Sequence, residues 1–156
     1  MDGDWYTRPS EHYRKQPLVS KEDAYRGVGG KVLPGTAGLT GDEQKVRGRY
    51  YLYLRQNGLW TKEVTGLDPD KDRRELDPYC PVRNVSRVYP PTLLIHGTED
   101  TDVPYEQSVA MSKELSRHKV PHELITVKGA GHGLPGGTRS SWARRTRRPL
   151  RSSAAT

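Results

Sequence analysis

The sequence predicts an α/β fold built on one parallel β-α-β unit, and three stretches in its second half carry that expectation. Thr92-Leu93-Leu94-Ile95 is a largely apolar run of strand length behind Pro90 and Pro91. Tyr105, Ser108, Val109, Met111, Ser112 and Leu115 share one face of a helix whose first turn suits Pro104 and which ends near His118. Leu124-Ile125-Thr126-Val127 is a second short strand, left by the tight loop Gly129-Ala130-Gly131-His132-Gly133. Strand, helix and strand over about 35 residues predict neighbouring parallel strands joined by a right-handed crossover. A run apolar on both faces predicts that the first strand is buried on both.

The first half is less regular. Residues 1–19 mix Trp5, Tyr6, Pro9, Tyr13 and Pro17 without a helical or strand period, which predicts a loop that packs on another part of the chain. Ser20-Lys21-Glu22-Asp23 sets a hydroxyl three residues ahead of a carboxylate and predicts a short helix stopped by Gly27, Gly29 and Gly30. A second loop follows to about Leu39, with Pro34 and Gly35 in it. Thr40-Gly41-Asp42-Glu43 is a stronger capping box, and Val46, Tyr50, Tyr53 and Leu54 behind it fall on one helical face that Asn57-Gly58 ends. From 60 to 90 the chain is rich in Asp, Pro and Arg without a sustained period, and it is expected to be mostly irregular.

Composition bounds what these elements can form. The 156 residues suit one domain at most, but apolar residues make up only 32%, Phe is absent, and there are 16 Gly and 12 Pro, so much of the chain is expected to be loop. The net charge of +7 is concentrated at the end: residues 138–156 hold six arginines and no acid, which leaves a nearly neutral body. That placement argues for a solvated basic tail rather than a nucleic-acid surface, since Trp142 alone is too little aromatic area for base stacking. Cys80 is the single cysteine, so an intrachain disulfide and a multi-thiolate metal site are both excluded, which fits a reducing compartment. The acidic start Met1-Asp2-Gly3-Asp4 is unlike a secretory leader, and no run approaches the roughly 18 apolar residues of a membrane span. A cytoplasmic chain with no membrane partner, no specific nucleic-acid partner and no cofactor is expected.

Ligands of an open parallel sheet bind beyond the carboxyl ends of its strands, so the loops that leave those ends are where chemistry is sought. Asp100 and His132 both lie there, on loops of adjacent strands. A carboxylate beside an imidazole is what a general base needs, because the carboxylate selects the ring tautomer and stabilises the imidazolium. Asp102, two residues on, competes with Asp100 for this role, or caps the helix begun at Pro104. His96, ahead of a glycine at a strand end, reads as a packed structural residue, and His118 and His122 as solvated ones. Ser108 and Ser112 belong to a packing face and Ser140 and Ser141 to the basic tail, so none is expected on a strained turn that would activate it. Cys80 in Pro78-Tyr79-Cys80-Pro81 has no charged neighbour to lower its pKa and reads as inert.

Leu93-Leu94-Ile95-His96-Gly97-Thr98-Glu99-Asp100-Thr101-Asp102-Val103-Pro104-Tyr105-Glu106-Gln107-Ser108, followed by Gly129-Ala130-Gly131-His132-Gly133, resembles the last two active-site segments of α/β-hydrolases. The resemblance is to the prolyl oligopeptidase-like peptidases and the acetyl-esterase-like carboxylesterases. It implies that Asp100, in a His-Gly-x-x-Asp pattern, is the triad acid, and that His132 is the base. The strong match covers roughly residues 90–134, and residues 1–89 are more loosely similar to the cap-forming segment that lies between nucleophile and acid in some of these enzymes. The implied fold is a partial α/β-hydrolase: the last two parallel strands with their crossover helix, preceded by a helical and irregular cap segment. The organisation expected is 1–89 cap-like, 90–137 β-α-β portion, and 138–156 basic tail.

Two departures temper the implied activity. No Gly-x-Ser-x-Gly elbow occurs in the sequence, and no His-Gly-Gly segment for an oxyanion hole. Both precede the acid in the family's chain order, so the expectation is the C-terminal part of a serine hydrolase of peptidase or carboxylesterase type, inactive alone. The arginine-rich end lacks the apolar face of the helix that normally closes such folds, and it reads as an unstructured extension or a shifted reading frame. An ester or peptide is the substrate implied for the intact family. The rival expectation is a non-catalytic interaction fragment, contacting acidic partners through its tail or associating with itself through an exposed sheet edge.

Overall fold

A computed structural model describes residues 5–29 and 40–136, which form two compact units meeting in sequence at Glu75 and Leu76. The unit up to Glu75 is built on helix α3 (Gly41–Asn57), with α1 (Glu11–Arg14) and α2 (Lys21–Tyr25) before it and α4 (Trp60–Thr65) after it. Both predicted capping motifs form. Thr40 Oγ1 accepts from the Glu43 amide while the Glu43 carboxylate accepts from the Thr40 amide at 2.8 Å, and Ser20 accepts from the Asp23 amide at 3.1 Å. Each satisfies donors that the first turn of its helix would otherwise leave open.

Of the predicted apolar face of α3, Leu54 is fully buried, but its neighbours Arg55 and Gln56 are buried as well. Their burial explains how the aperiodic residues 5–19 pack. The Gln56 amide donates to the carbonyls of Tyr13 and Pro17, and its oxygen accepts from the Val19 amide, all at 3.1 Å. The Arg55 guanidinium lies among the rings of Trp5, Tyr6, Tyr13 and Tyr51, at 4.4–5.7 Å from their centroids, and donates to the Tyr51 hydroxyl. Helix α4 lies where irregular chain is expected; six residues between Leu59 and Gly66 are too few to display a period. The expected loop at residues 30–39 lies largely outside the described residues.

The unit from Leu76 onward contains two 3-10 turns (Asp77–Tyr79 and Pro81–Arg83), strand β1 (Thr92–Gly97), helix α5 (Glu106–Arg117) and strand β2 (His122–Val127). The two strands pair in parallel, from Thr92 opposite His122 to Gly97 opposite Val127, so the β-α-β unit forms in the predicted register of elements. It is a partial α/β-hydrolase-like fold. On one face, Met111 and Leu115 of α5 pack with Val85 and Val120, joined by Val82, Tyr89 and Leu94. Residues 76–89 therefore share a core with the β-α-β unit, although their composition groups them with the irregular stretch before it. On the other face, Ile125, Val127 and Ala130 pack with Ile95 and Leu134.

The expectation that β1 is buried on both faces requires correction, because Leu93 is 36% exposed. Among the described residues α5 covers one face of the sheet, while the other is covered by little more than the loop carrying Ala130 and Leu134. The basic tail falls outside the described residues. No helix among those described is long and apolar enough to cross a membrane.

Candidate active site

The parallel register ends both strands at one level, Gly97 opposite Val127, and from there two loops leave side by side. Backbone bonds lace them together: Thr98 donates to the Val127 carbonyl at 3.1 Å, Glu99 to the Ala130 carbonyl at 2.9 Å, and Gly129 to the Thr98 hydroxyl at 2.9 Å. This lacing needs a glycine at the end of β1. A Cβ on Gly97 would stand 2.7 Å from the Ala130 carbonyl carbon and closer still to its oxygen. Gly129 and Gly133 bracket the second loop with φ of 72° and 74°, the left-handed turns that bend the chain around His132.

The two loops bring Asp100 and His132 together, with His132 Nδ1 3.0 Å from Asp100 Oδ2. The carboxylate only accepts, so Nδ1 carries the proton and donates. The other oxygen, Oδ1, accepts from the backbone amides of Asp102 and Val103 at 2.8 and 2.9 Å, which fixes the acid from its own loop. The side chain of Asp100 is 6% exposed and that of His132 is 61% exposed, so the pair is a buried acid holding an outward-facing ring. Burial pushes the Asp100 carboxyl up, but the Val103 amide, the His132 imidazole and the Asp102 amide together outweigh it and hold the group below the ordinary carboxylate value.

Asp102 lies further from the ring than Asp100 does. The N-cap residue of α5 is Tyr105 with no side-chain cap bond, and Asp102 Oδ2 stands 3.8 Å from His132 Nε2, beyond hydrogen-bond distance. His96 is buried as expected, yet it also lies against the acid, its Nε2 3.3 Å from Asp100 Oδ2. Sequence reasoning missed that contact, and the only signal for it was an imidazole at a strand end four residues ahead of the carboxylate. His118 and His122 depart from free solvation: His118 Nε2 is 2.9 Å from an Arg117 nitrogen, and His122 Nδ1 is 2.8 Å from the Val120 carbonyl oxygen. Ser108 is bonded to His96, and Cys80 is 1% exposed. Among the described residues, no three His, Cys, Asp or Glu side chains converge as a metal site would require.

Two consequences are measurable. In Gly97→Ala the loop of His132 must move off the end of β1. The variant is expected to unfold at lower urea than the parent and to lose the Nδ1–H signal of His132 in nitrogen-15 spectra; an unchanged spectrum would contradict the close approach. The lowered pKa of Asp100 means that the unfolded state binds the proton more readily. The stability it contributes is therefore present above the unfolded carboxylate value, about 3.9, and is lost as pH falls through the lower folded value. Urea midpoints followed down through this window should fall more steeply for the parent than for Asp100→Asn, and equal slopes would count against the shift.

Comparison with known proteins agrees with this architecture. The model of the prolyl oligopeptidase family matches residues 49–148, a span that includes β1, α5, β2 and both loops. A solved structure described as a truncated form of carbohydrate esterase from gut microbiota is 26% identical, with a TM-score of 0.48 over 53% of this chain. The match spans 29% of that structure's own length. With residues 49–148 matched, the chain belongs to the prolyl oligopeptidase family, a family of α/β-hydrolases.

Proposed function

We propose that this chain supplies the acid and base of a serine hydrolase active site, with Asp100 orienting and His132 transferring the proton. The observation that carries the proposal is the 3.0 Å pairing of His132 Nδ1 with a buried carboxylate, on a ring 61% exposed. Donation from Nδ1 leaves Nε2 as the basic nitrogen of the neutral ring. A serine hydroxyl presented to Nε2 would lose its proton there as it attacked an ester or peptide carbonyl. The imidazolium so formed would be stabilised by Asp100 and would return the proton to the leaving group.

The chain holds no Gly-x-Ser-x-Gly elbow, and Ser108 is engaged inside the fold with His96. Acid and base without a nucleophile cannot form an acyl-enzyme, and a missing oxyanion donor by itself costs on the order of a hundredfold or more in rate. The same proposal therefore gives this chain no appreciable turnover alone, and assigns hydrolysis to an assembly that includes the elbow. A lone buried thiol at Cys80 fits a reducing, cytoplasmic setting.

The test is a p-nitrophenyl acetate assay on the purified chain. Release of nitrophenol is expected to rise linearly with ester concentration, without saturation and without a burst, as for free imidazole. Saturable turnover abolished by His132→Ala would mean that a nucleophile is already present, and the division of labour proposed here would fail.

A further inference from the structure

We propose that His96 is a positioning residue for Asp100: its Nε2–H, set by Ser108 and the Val103 carbonyl, fixes the carboxylate oxygen that receives the Nδ1–H of His132. The inference rests on the acid and base roles assigned above to Asp100 and His132.

The protonation of His96 follows from its partners. Nε2 lies 3.0 Å from the Val103 carbonyl oxygen, which can only accept, so Nε2 carries the hydrogen. Nδ1 of the neutral ring is then an acceptor, and the Ser108 hydroxyl, 2.7 Å away on α5, donates to it. Asp100 Oδ2 stands 3.3 Å from the same Nε2, so the edge of the ring that carries the N–H lies against the carboxylate as well as the carbonyl it donates to. The ring has little freedom to turn away. It is 8% exposed, and Tyr105 meets it edge-on at 5.7 Å, with the Tyr105 hydroxyl 2.5 Å from Thr126 Oγ1 on β2.

The carboxylate thereby has three hydrogen-bond donors for its roughly four lone-pair positions, and the His96 ring stands at the fourth. Two are amides of its own loop at Oδ1 and one is the His132 N–H from the second loop at Oδ2, with His96 Nε2 of β1 3.3 Å from that same oxygen. The amides hold one oxygen and leave the other free to tilt. The His96 ring, pressed against that second oxygen, limits its tilt, so the direction offered to His132 is set by β1 and α5 as well as by the loop. A histidine that served packing alone would require neither this polar match at both nitrogens nor the contact with Asp100.

The test reads the tautomer of His132 by nitrogen-15 NMR of the full chain, about two units above the ordinary histidine pKa, where imidazoles are neutral. Asp100 and Asp102 are the titratable groups facing His132, and Asp100 and Tyr105 face His96. The parent is expected to favour Nδ1–H at His132. In His96→Phe the ratio of Nδ1–H to Nε2–H should fall by about threefold, the scale of one modest hydrogen bond, and His96→Gln, which retains an N–H near the reach of Nε2, should restore most of it. Ser108→Ala provides a gentler variant should the Phe substitution prevent folding, and an intermediate ratio is expected. Ratios equal to the parent's in the folded variants would overturn the positioning role while leaving the Asp100–His132 pair intact. A parent ring with no Nδ1–H preference would overturn the pair, and this inference with it.

Discussion

The contact between Gly97 and the backbone of Ala130 is the constraint on which the candidate site depends. Because the end of β1 carries no Cβ, the loop leaving β2 lies directly against it, and amide-to-carbonyl bonds from Thr98 and Glu99 close the gap. Only then do a carboxylate from one loop and an imidazole from the other come within 3.0 Å. The rest of the unit serves this approach. The Met111, Leu115 and Val120 cluster holds α5 to one face of the sheet, and Ile125, Val127 and Ala130 fasten the second loop to the other. Packing that resists displacement by fractions of an ångström is what allows two loops to keep that distance.

Electrostatically the site is asymmetric. Asp100 sits almost out of solvent and accepts three hydrogen bonds, whereas the His132 side chain stands mostly in solvent and donates one. A buried charge is tolerated here because three N–H groups take the place of water.

The β-α-β unit was legible because its signals are local and strong. An apolar strand, a helix with one apolar face and a second strand were each readable alone, and right-handed crossover then placed Asp100 and His132 on neighbouring loops. What the sequence concealed depends on distant partners. Arg55 and Gln56 look like solvated helix residues until residues 5–19 are seen folded over them. His96 reads as packing because Ser108 and the Val103 carbonyl, its partners, become neighbours only after α5 returns across the sheet. Short elements such as α4 have no period to display, and Leu93 is exposed because cover for a sheet face is a tertiary property that no single strand encodes.

The central claim is that Asp100 and His132 act as one coupled pair in this chain, and a double-mutant cycle on its stability addresses it most directly. Urea unfolding of the parent, Asp100→Asn, His132→Gln and the double variant, at neutral pH, gives the coupling. With a buried acid and an exposed ring, screening limits the expected interaction to roughly 0.5–1 kcal/mol, with the double variant losing less than the two single losses combined. Losses that add to within about 0.3 kcal/mol would mean that the two side chains do not interact, and the pairing on which the account rests would be contradicted.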